Sequence, residues 1–381
     1  MNGDFMSGKN IDNILLENEE ELNAGYGDVS YSSNGLKVEK NTYSFFELKR
    51  KYDSGYRNLI LDSDFQRNNV WKRQRKIELV ESVLMTLPLP AFYFAQDSQG
   101  RLIVVDGRQR LSAMFEYMDN SFTLKGLKIL TEFEGCKFDD LKPVFQRRIE
   151  DAQIISYVIM PQTPERVKFD IFDRVNRTGV VLNKQEIRNA LYQGNATKLL
   201  REVVESDSFL NATGEAFVKD KRMKDRYLVS RFWALYLYGN GKLKDLSDNP
   251  YKYKGDMDEL IGISLNWVNR ALVPSLEEIK QETIWSLNKS FEILGKDAFR
   301  RPFNDKKPPI NMNVFETVML IMESLSGYQV NDKAQASHII RNFLSSNDFK
   351  VNTEGHRDST DNLEWRMRKA VEIGRSIKEK C

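Results

Sequence analysis

The chain predicts an α+β fold: a small mixed-sheet core with its helices, followed by a mostly α-helical domain. Two observations carry this. Short apolar runs bounded by turn residues alternate with helical periodicity only in the first half, and beyond Asn195 the apolar residues repeat at helical spacing alone. With 381 residues, 41% of them hydrophobic, the chain has material for about two to three domain-sized cores. The expected divisions are a flexible lead-in over 1–42, an α/β domain over 43–195 and a helical domain over 196–381.

Residues 1–42 are rich in Asn, Gly, Ser and Glu, and carry at most a short helix near Ile11 to Leu22. Ile77, Val80, Val83, Leu84 and Leu87 fall at helical spacing, and Pro88 with Pro90 stops that helix. Ala91 to Ala95 and Leu102 to Val105 are apolar runs separated by Asp97-Ser98-Gln99-Gly100, which predicts a hairpin or adjacent strands. Leu111, Met114, Phe115 and Met118 define the next helical face. A strand follows at Ile154 to Met160, then a helix opened by Pro164 and running through Val175. The second half includes helices over Tyr227 to Leu237, Met257 to Leu272, Val314 to Leu325, Ala334 to Leu344 and Asn362 to Lys378. Surface connections are expected at Gly239 to Gly255 and Arg301 to Pro309.

Composition narrows the function classes. Lys and Arg total 57 against 55 Asp and Glu, so the net charge of +2 gives no overall pull toward nucleic acid or membrane, and any such binding must come from local patches. Cys136 and Cys381 cannot build a disulfide framework, and His338 and His356 have no ligand partner at useful spacing. A reducing cytoplasm is expected. No stretch approaches the roughly 20 uninterrupted apolar residues of a membrane span.

The chemistry concentrates where a strand ends in Asp106-Gly107 and feeds a helix opening Arg108-Gln109-Arg110. Gly107 permits a tight turn, and the first N–H groups of a helix have no partner within it, so they suit an anion. Arg108 and Arg110 add permanently charged, bidentate donors for phosphate, and Asp106 is placed to hold Mg2+ or orient a water. By itself the string is equally an ordinary turn with solvated arginines. A second polar segment places Arg174, Asn176 and Arg177 at a helix end before Gly179, where an Asn side chain either coordinates metal or caps backbone.

Four blocks in order change the balance. Phe65-Gln66-Arg67-Asn68-Asn69-Val70-Trp71, the helix ending Leu87-Pro88-Leu89-Pro90, Val105-Asp106-Gly107-Arg108-Gln109-Arg110-Leu111, and Phe172-Asp173-Arg174-Val175-Asn176-Arg177-Thr178-Gly179 resemble successive signatures of the N-terminal domain family of GmrSD-type restriction endonucleases. More distantly they resemble the ParB/sulfiredoxin-like fold. The resemblance spans about residues 43 to 240 and implies a nucleotide-binding core. The family's Asp-Gly-Gln-Gln-Arg becomes Asp-Gly-Arg-Gln-Arg here, which keeps a donor and adds charge. The resemblance further implies that Asn176 and Arg177 face the same nucleotide and Mg2+ as the turn; Gln66 and Arg67, which precede a Trp, read either as approaching the phosphate or as covering the sheet edge. The cysteine of sulfiredoxin relatives is absent, which excludes thiol chemistry at this site. Full-length family members carry a His-Asn-His nuclease domain. Two isolated histidines cannot supply one, so a stand-alone form with a separate nuclease subunit is expected.

The leading expectation is a nucleoside-triphosphate-binding and -hydrolysing protein of a DNA-modification-sensing or anti-phage system. Asp106 and Arg110 are its catalytic residues, and Arg67, Gly107, Arg108, Gln109, Arg110, Asn176 and Arg177 contact the nucleotide. Asp106 and Asn176 are the Mg2+ ligands. Two alternatives use the same turn: a DNA-binding or regulatory module without hydrolysis, and a Mg2+-dependent DNA nickase. Lys72, Arg73 and Arg75, with Lys221 and Arg222, are basic runs beside Trp71 and Tyr227. They read either as contacts to a nucleic-acid backbone or as solvated helix faces.

Overall fold

In the computed structural model, the residues described are 16, 37–55, 58–61, 71–97, 99–176, 183–220, 222–245, 247–302, 307–354 and 358–381. They divide into two compact units between Gln193 and Gly194, with Leu16 belonging to the second through a bridge to Ile310. The short helix expected near Ile11 to Leu22 lies, apart from Leu16, outside the described residues.

The first unit is built on a five-stranded sheet in the order β1-β5-β3-β4-β2. Its strands are β1 (Val38–Ser44), β2 (Leu59–Ile60), β3 (Phe92–Gln96), β4 (Leu102–Asp106) and β5 (Gln153–Ile159). β1 pairs antiparallel with β5, β5 parallel with β3, β3 antiparallel with β4, and β4 parallel with β2, so the sheet is mixed as predicted. β1 begins five residues ahead of Tyr43, where the sequence places the start of folding. Its run Val-Glu-Lys-Asn-Thr-Tyr-Ser has few apolar residues because this edge strand is largely exposed. The β3–β4 hairpin holds an irregularity: Tyr93 pairs with Asp106 and Phe94 with Val104, so Val105 is passed over. Such a bulge bends the strand and redirects the chain beyond it.

Helices α1 (Phe45–Asp53), α2 (Arg73–Leu84), α3 (Arg108–Met118) and α4 (Pro143–Glu150) pack on one another, while α5 (Glu165–Asn176) and α6 (Lys184–Leu191) contact β4. α1 starts because the Ser44 hydroxyl accepts the Glu47 amide N–H at 3.1 Å. α2 ends at Leu84, and Thr86, at φ +57°, turns the chain into the two prolines. Phe45, Val80, Phe92, Phe94, Leu111 and Met114 fill the space between helices and sheet with almost no exposure. α6 opens with a reciprocal cap: Asn183 accepts the Glu186 amide at 2.8 Å, and Glu186 accepts the Asn183 amide at 2.7 Å. Glu186 thus caps the helix, while Arg188, two residues on and fully buried, lies over the Phe169 ring.

The second unit is helical: α7 (Asn195–Val204), α8 (Asp207–Thr213), α9 (Lys224–Gly239), α10 (Met257–Arg270), α11 (Val273–Leu294), α12 (Met312–Ser324), α13 (Lys333–Leu344), α14 (Asn347–Thr353) and α15 (Thr360–Lys380). α12 is its axis. Every residue from Met312 to Met322 is buried, so this helix lacks a polar face and packs against α9, α11 and α15. Gly374 lets α15 approach, since a Cβ there would lie 1.9 Å from the Ser324 hydroxyl. Charges cross this core. Arg231 of α9 donates to Glu316 of α12, bonds Asp358 at 2.7 Å and reaches the Tyr227 hydroxyl at 3.1 Å, while Arg366 of α15 meets the other oxygen of Glu316 at 3.4 Å. Burial works against the Arg231 charge, but Asp358 and Glu316 outweigh it and hold the guanidinium above its ordinary pKa.

At the start of α9, Asp220 accepts the amides of Lys224 and Asp225, and the Asp225 carboxylate accepts the Arg226 amide at 2.6 Å. Burial, with Asp220 nearby, pushes the Asp225 pKa up to about 7, with the amide and charge of Arg226 pulling the other way and Glu205 adding to the rise. Across roughly pH 4 to 7 the folded chain therefore holds a proton that the unfolded chain has lost. This group's contribution to stability falls as pH rises through that window and is flat above it. Asp225→Asn is expected to gain on the wild type by no more than about 1.4 kcal/mol per pH unit across the window in urea unfolding. A stability difference that does not change with pH would exclude a titrating Asp225.

Among the described residues, no helix is long and apolar enough to cross a membrane. Cys136 and Cys381 are both unpaired thiols.

Candidate phosphate-binding turn

β4 ends at Asp106 and α3 begins at Arg108, so Gly107 alone makes the corner, at φ +97° and ψ 3°. A Cβ on Gly107 would sit 2.2 Å from Cδ1 of Phe92, whose ring is completely buried in the neighbouring strand. Two constraints therefore require glycine here: the left-handed backbone and the close approach of an aromatic ring. Gly107, as the residue preceding α3, supplies no side-chain cap, and no acidic residue lies in the first turn of the helix. The amide N–H groups of that turn and the positive end of the helix dipole are accordingly arranged for an anion.

Asp106 and Arg110 form a pair one helical turn apart. Arg110 Nη2 bonds Asp106 Oδ2 at 2.7 Å and the carbonyl oxygen of Ala91 at 3.2 Å, Nη1 donates to the carbonyl of Pro90, and the guanidinium lies 4.1 Å over the Phe92 ring. The Arg110 side chain is only 12% exposed, whereas that of Asp106 is 38% exposed. Burial lowers the Arg110 pKa and the charge of Asp106 pulls it back up, so the guanidinium stays cationic. The Pro90-Ala91-Phe92 segment and the helix start are held together by this one side chain. Asp106 is left with Oδ1 carrying no bond among the described residues.

Gln109 faces a different neighbour: its Oε1 accepts the Trp71 amide N–H at 3.3 Å, which ties the entry to α2 to the second residue of α3. The basic run that begins there is therefore beside the turn. Lys72 precedes α2 without a side-chain cap bond, Arg73 lies 5.5 Å from the Phe122 ring, and Arg75 lies 4.4 Å from the Trp71 ring. Lys72, Arg73 and Arg75 are all exposed. Arg108 is half-buried at the first position of α3.

The remaining expected residues are not brought to the turn by any described contact. Arg67, Arg177 and Lys221 lie outside the described residues, and Asn176 is described only as the last residue of α5. In the helical unit, Arg222 is exposed and its amide bonds Asp220, so the run Lys219 to Arg226 carries acidic groups within it. Among the described residues no group of three or more His, Cys, Asp or Glu side chains is placed to hold a metal ion. Sequence reasoning finds the turn but misses what orients it, namely the Pro90 and Ala91 carbonyls and the Phe92 ring. The available signal is the proline-bearing approach to the strand, which from sequence reads only as a helix stop.

The class defined here is an α+β domain in which a strand, a single glycine and a helix start set a partly exposed carboxylate beside an arginine. Residues 45–193 match the family model described as the GmrSD restriction endonuclease, N-terminal domain. The match ends at the boundary between the two units and begins at α1, so β1 lies ahead of it. Neither a curated protein nor a solved structure gives a significant match to the chain.

Proposed function

We propose that the Asp106–Arg110 turn binds the phosphates of a nucleoside triphosphate and hydrolyses it, in the service of a restriction or anti-phage system that senses DNA. The observation that carries this is the strand–Gly107–helix corner, which sets the start of α3 directly after a carboxylate whose side chain is 38% exposed and begins that helix with Arg108. The family's description supports the restriction setting. In this reading the first amides of α3 and the guanidinium of Arg108 neutralise phosphate, with Arg67 and Arg177 added from the flanking motifs. Arg110, occupied by Asp106 and two carbonyls, positions the carboxylate. Oδ1 of Asp106 fits a Mg2+ ligand, with Asn176 as the second, and the ion when bound supplies charge neutralisation to the phosphates. The partners are the nucleotide, DNA and a separate nuclease subunit.

Phosphate release from each of the four ribonucleoside triphosphates with Mg2+ tests it. Asp106→Asn preserves an acceptor for Arg110 and removes the charge, so its turnover is expected to fall about 100-fold at unchanged fold, with Arg108→Ala weakening binding. No turnover, together with no nucleotide-dependent shift in melting temperature, would overturn the reading. DNA binding that weakens steeply with salt would then favour the regulatory module, for which the exposed Arg73 and Arg75 speak.

A further inference from the structure

We infer that the Arg75–Trp71 pair is a platform for the nucleobase of the nucleotide whose phosphates lie on the turn; this rests on the function proposed above. Three features place it. The guanidinium carbon of Arg75 lies 4.4 Å from the centroid of the Trp71 indole, within cation–π range of the ring. Trp71 packs against the core of the first unit and is half-buried, whereas Arg75 is exposed and makes no ion pair among the described residues. Among the described residues the ring is the one partner that holds the guanidinium, and the side chain is exposed to an incoming planar ligand. Finally, the backbone of Trp71 is pinned to the side chain of Gln109, the second residue of the helix whose start receives the phosphates. This hydrogen bond keeps the backbone of Trp71 beside the helix start, so that a base on Arg75 and phosphates on the turn belong to neighbouring segments.

Two other polar residues of this segment, Lys76 and Gln74, are used differently. Lys76 pairs with Glu116 at 2.6 Å, and Gln74 bonds the Gly126 carbonyl at 3.1 Å. Those contacts fix α2. A base stacked on the outer face of Arg75 gains dispersion and cation–π attraction that require no particular hydrogen-bonding edge, so the platform favours any nucleobase over bare polyphosphate and discriminates weakly among bases.

Calorimetric titration of the full chain with Mg2+ and either a nucleoside triphosphate or inorganic tripolyphosphate tests this. The nucleotide is expected to bind at least about ten-fold more tightly than tripolyphosphate, the scale of one stacked base. Arg75→Ala should abolish that preference while changing tripolyphosphate affinity by less than about two-fold. Arg75→Lys separates stacking from charge, because lysine keeps the charge and loses the plane: it should behave as alanine does. Trp71→Phe should remove the nucleotide-induced quenching of indole emission that tripolyphosphate does not cause. An unchanged preference in Arg75→Ala, equal weakening of both ligands, or a lysine variant like the wild type would each overturn the platform and leave the phosphate turn standing. Arg75-dependent binding of single-stranded oligonucleotide, with no such dependence for the mononucleotide, would overturn it in favour of a nucleic-acid face. Failure of both mononucleotide and tripolyphosphate to bind would instead remove the phosphate reading itself, and this inference with it.

Discussion

Glu316→Ala is expected to destabilise the helical unit by about 3–5 kcal/mol, because it strands two buried guanidiniums. Arg231, Arg366 and Glu316 are each only 1% exposed, and the remaining carboxylate, Asp358, is 26% exposed. Without Glu316, Asp358 is the acid among the described residues that remains paired with both arginines. For a unit of this size the loss corresponds to a fall in melting temperature on the order of 10 °C, readable by calorimetry. The cost belongs to the uncompensated charge and not to the strength of the pair. Combining Glu316→Leu with Arg231→Met and Arg366→Met is therefore expected to recover most of it. A Glu316→Ala variant within about 1 kcal/mol of the wild type would show that the cluster is solvated in solution.

Gly107→Ala carries the other large effect. The left-handed backbone costs a Cβ-bearing residue about 1–3 kcal/mol, and the clash with Phe92 adds about as much again. The first unit is expected to lose about 3 kcal/mol or more in urea unfolding. Phe92 also lies beneath the Arg110 guanidinium, so the ring cannot yield without disturbing the Asp106 pair. Asparagine separates the two causes, since it tolerates the left-handed region better than alanine and has the same Cβ. Equal losses in the two variants identify the ring contact as dominant, while a clearly milder Gly107→Asn identifies the backbone. Wild-type stability in both would contradict the geometry of the corner.

The elements legible in the sequence are those whose apolar residues face a single core. The Ile77 to Leu84 stripe, the runs on either side of Gly100 and the helical faces of the second half all appear close to their expected places. β1 escapes because an exposed edge strand needs no apolar alternation: its residues are ordered by backbone pairing with β5, and partners separated by more than a hundred positions leave no local trace. The same holds within the site. Asp106-Gly107-Arg108-Gln109-Arg110 can be singled out because a strand–glycine–helix corner has a local chemistry. That Arg110 is taken up by the carbonyls of Pro90 and Ala91 cannot, since a backbone acceptor has no residue type. Charge count hides the cluster around Glu316 for a related reason: a buried, balanced set of ions adds nothing to net charge and looks like surface composition until the helices are packed.

The residue passed over in the hairpin, Val105, bears on how this domain can be altered. A four-residue β4 would pair with β3 without interruption, and regular ladders are the more stable ones. Shortening the strand by that valine should thus yield a domain that expresses well and melts higher, with Asp106 turned toward the wrong side of the sheet. Selection for robustness alone would drift toward that variant, because the extra residue stands for aim and not for strength. Libraries built on this scaffold therefore need a ligand-dependent readout from the first round, and insertions or deletions between Leu102 and Asp106 are the changes most able to separate a well-folded domain from a working one.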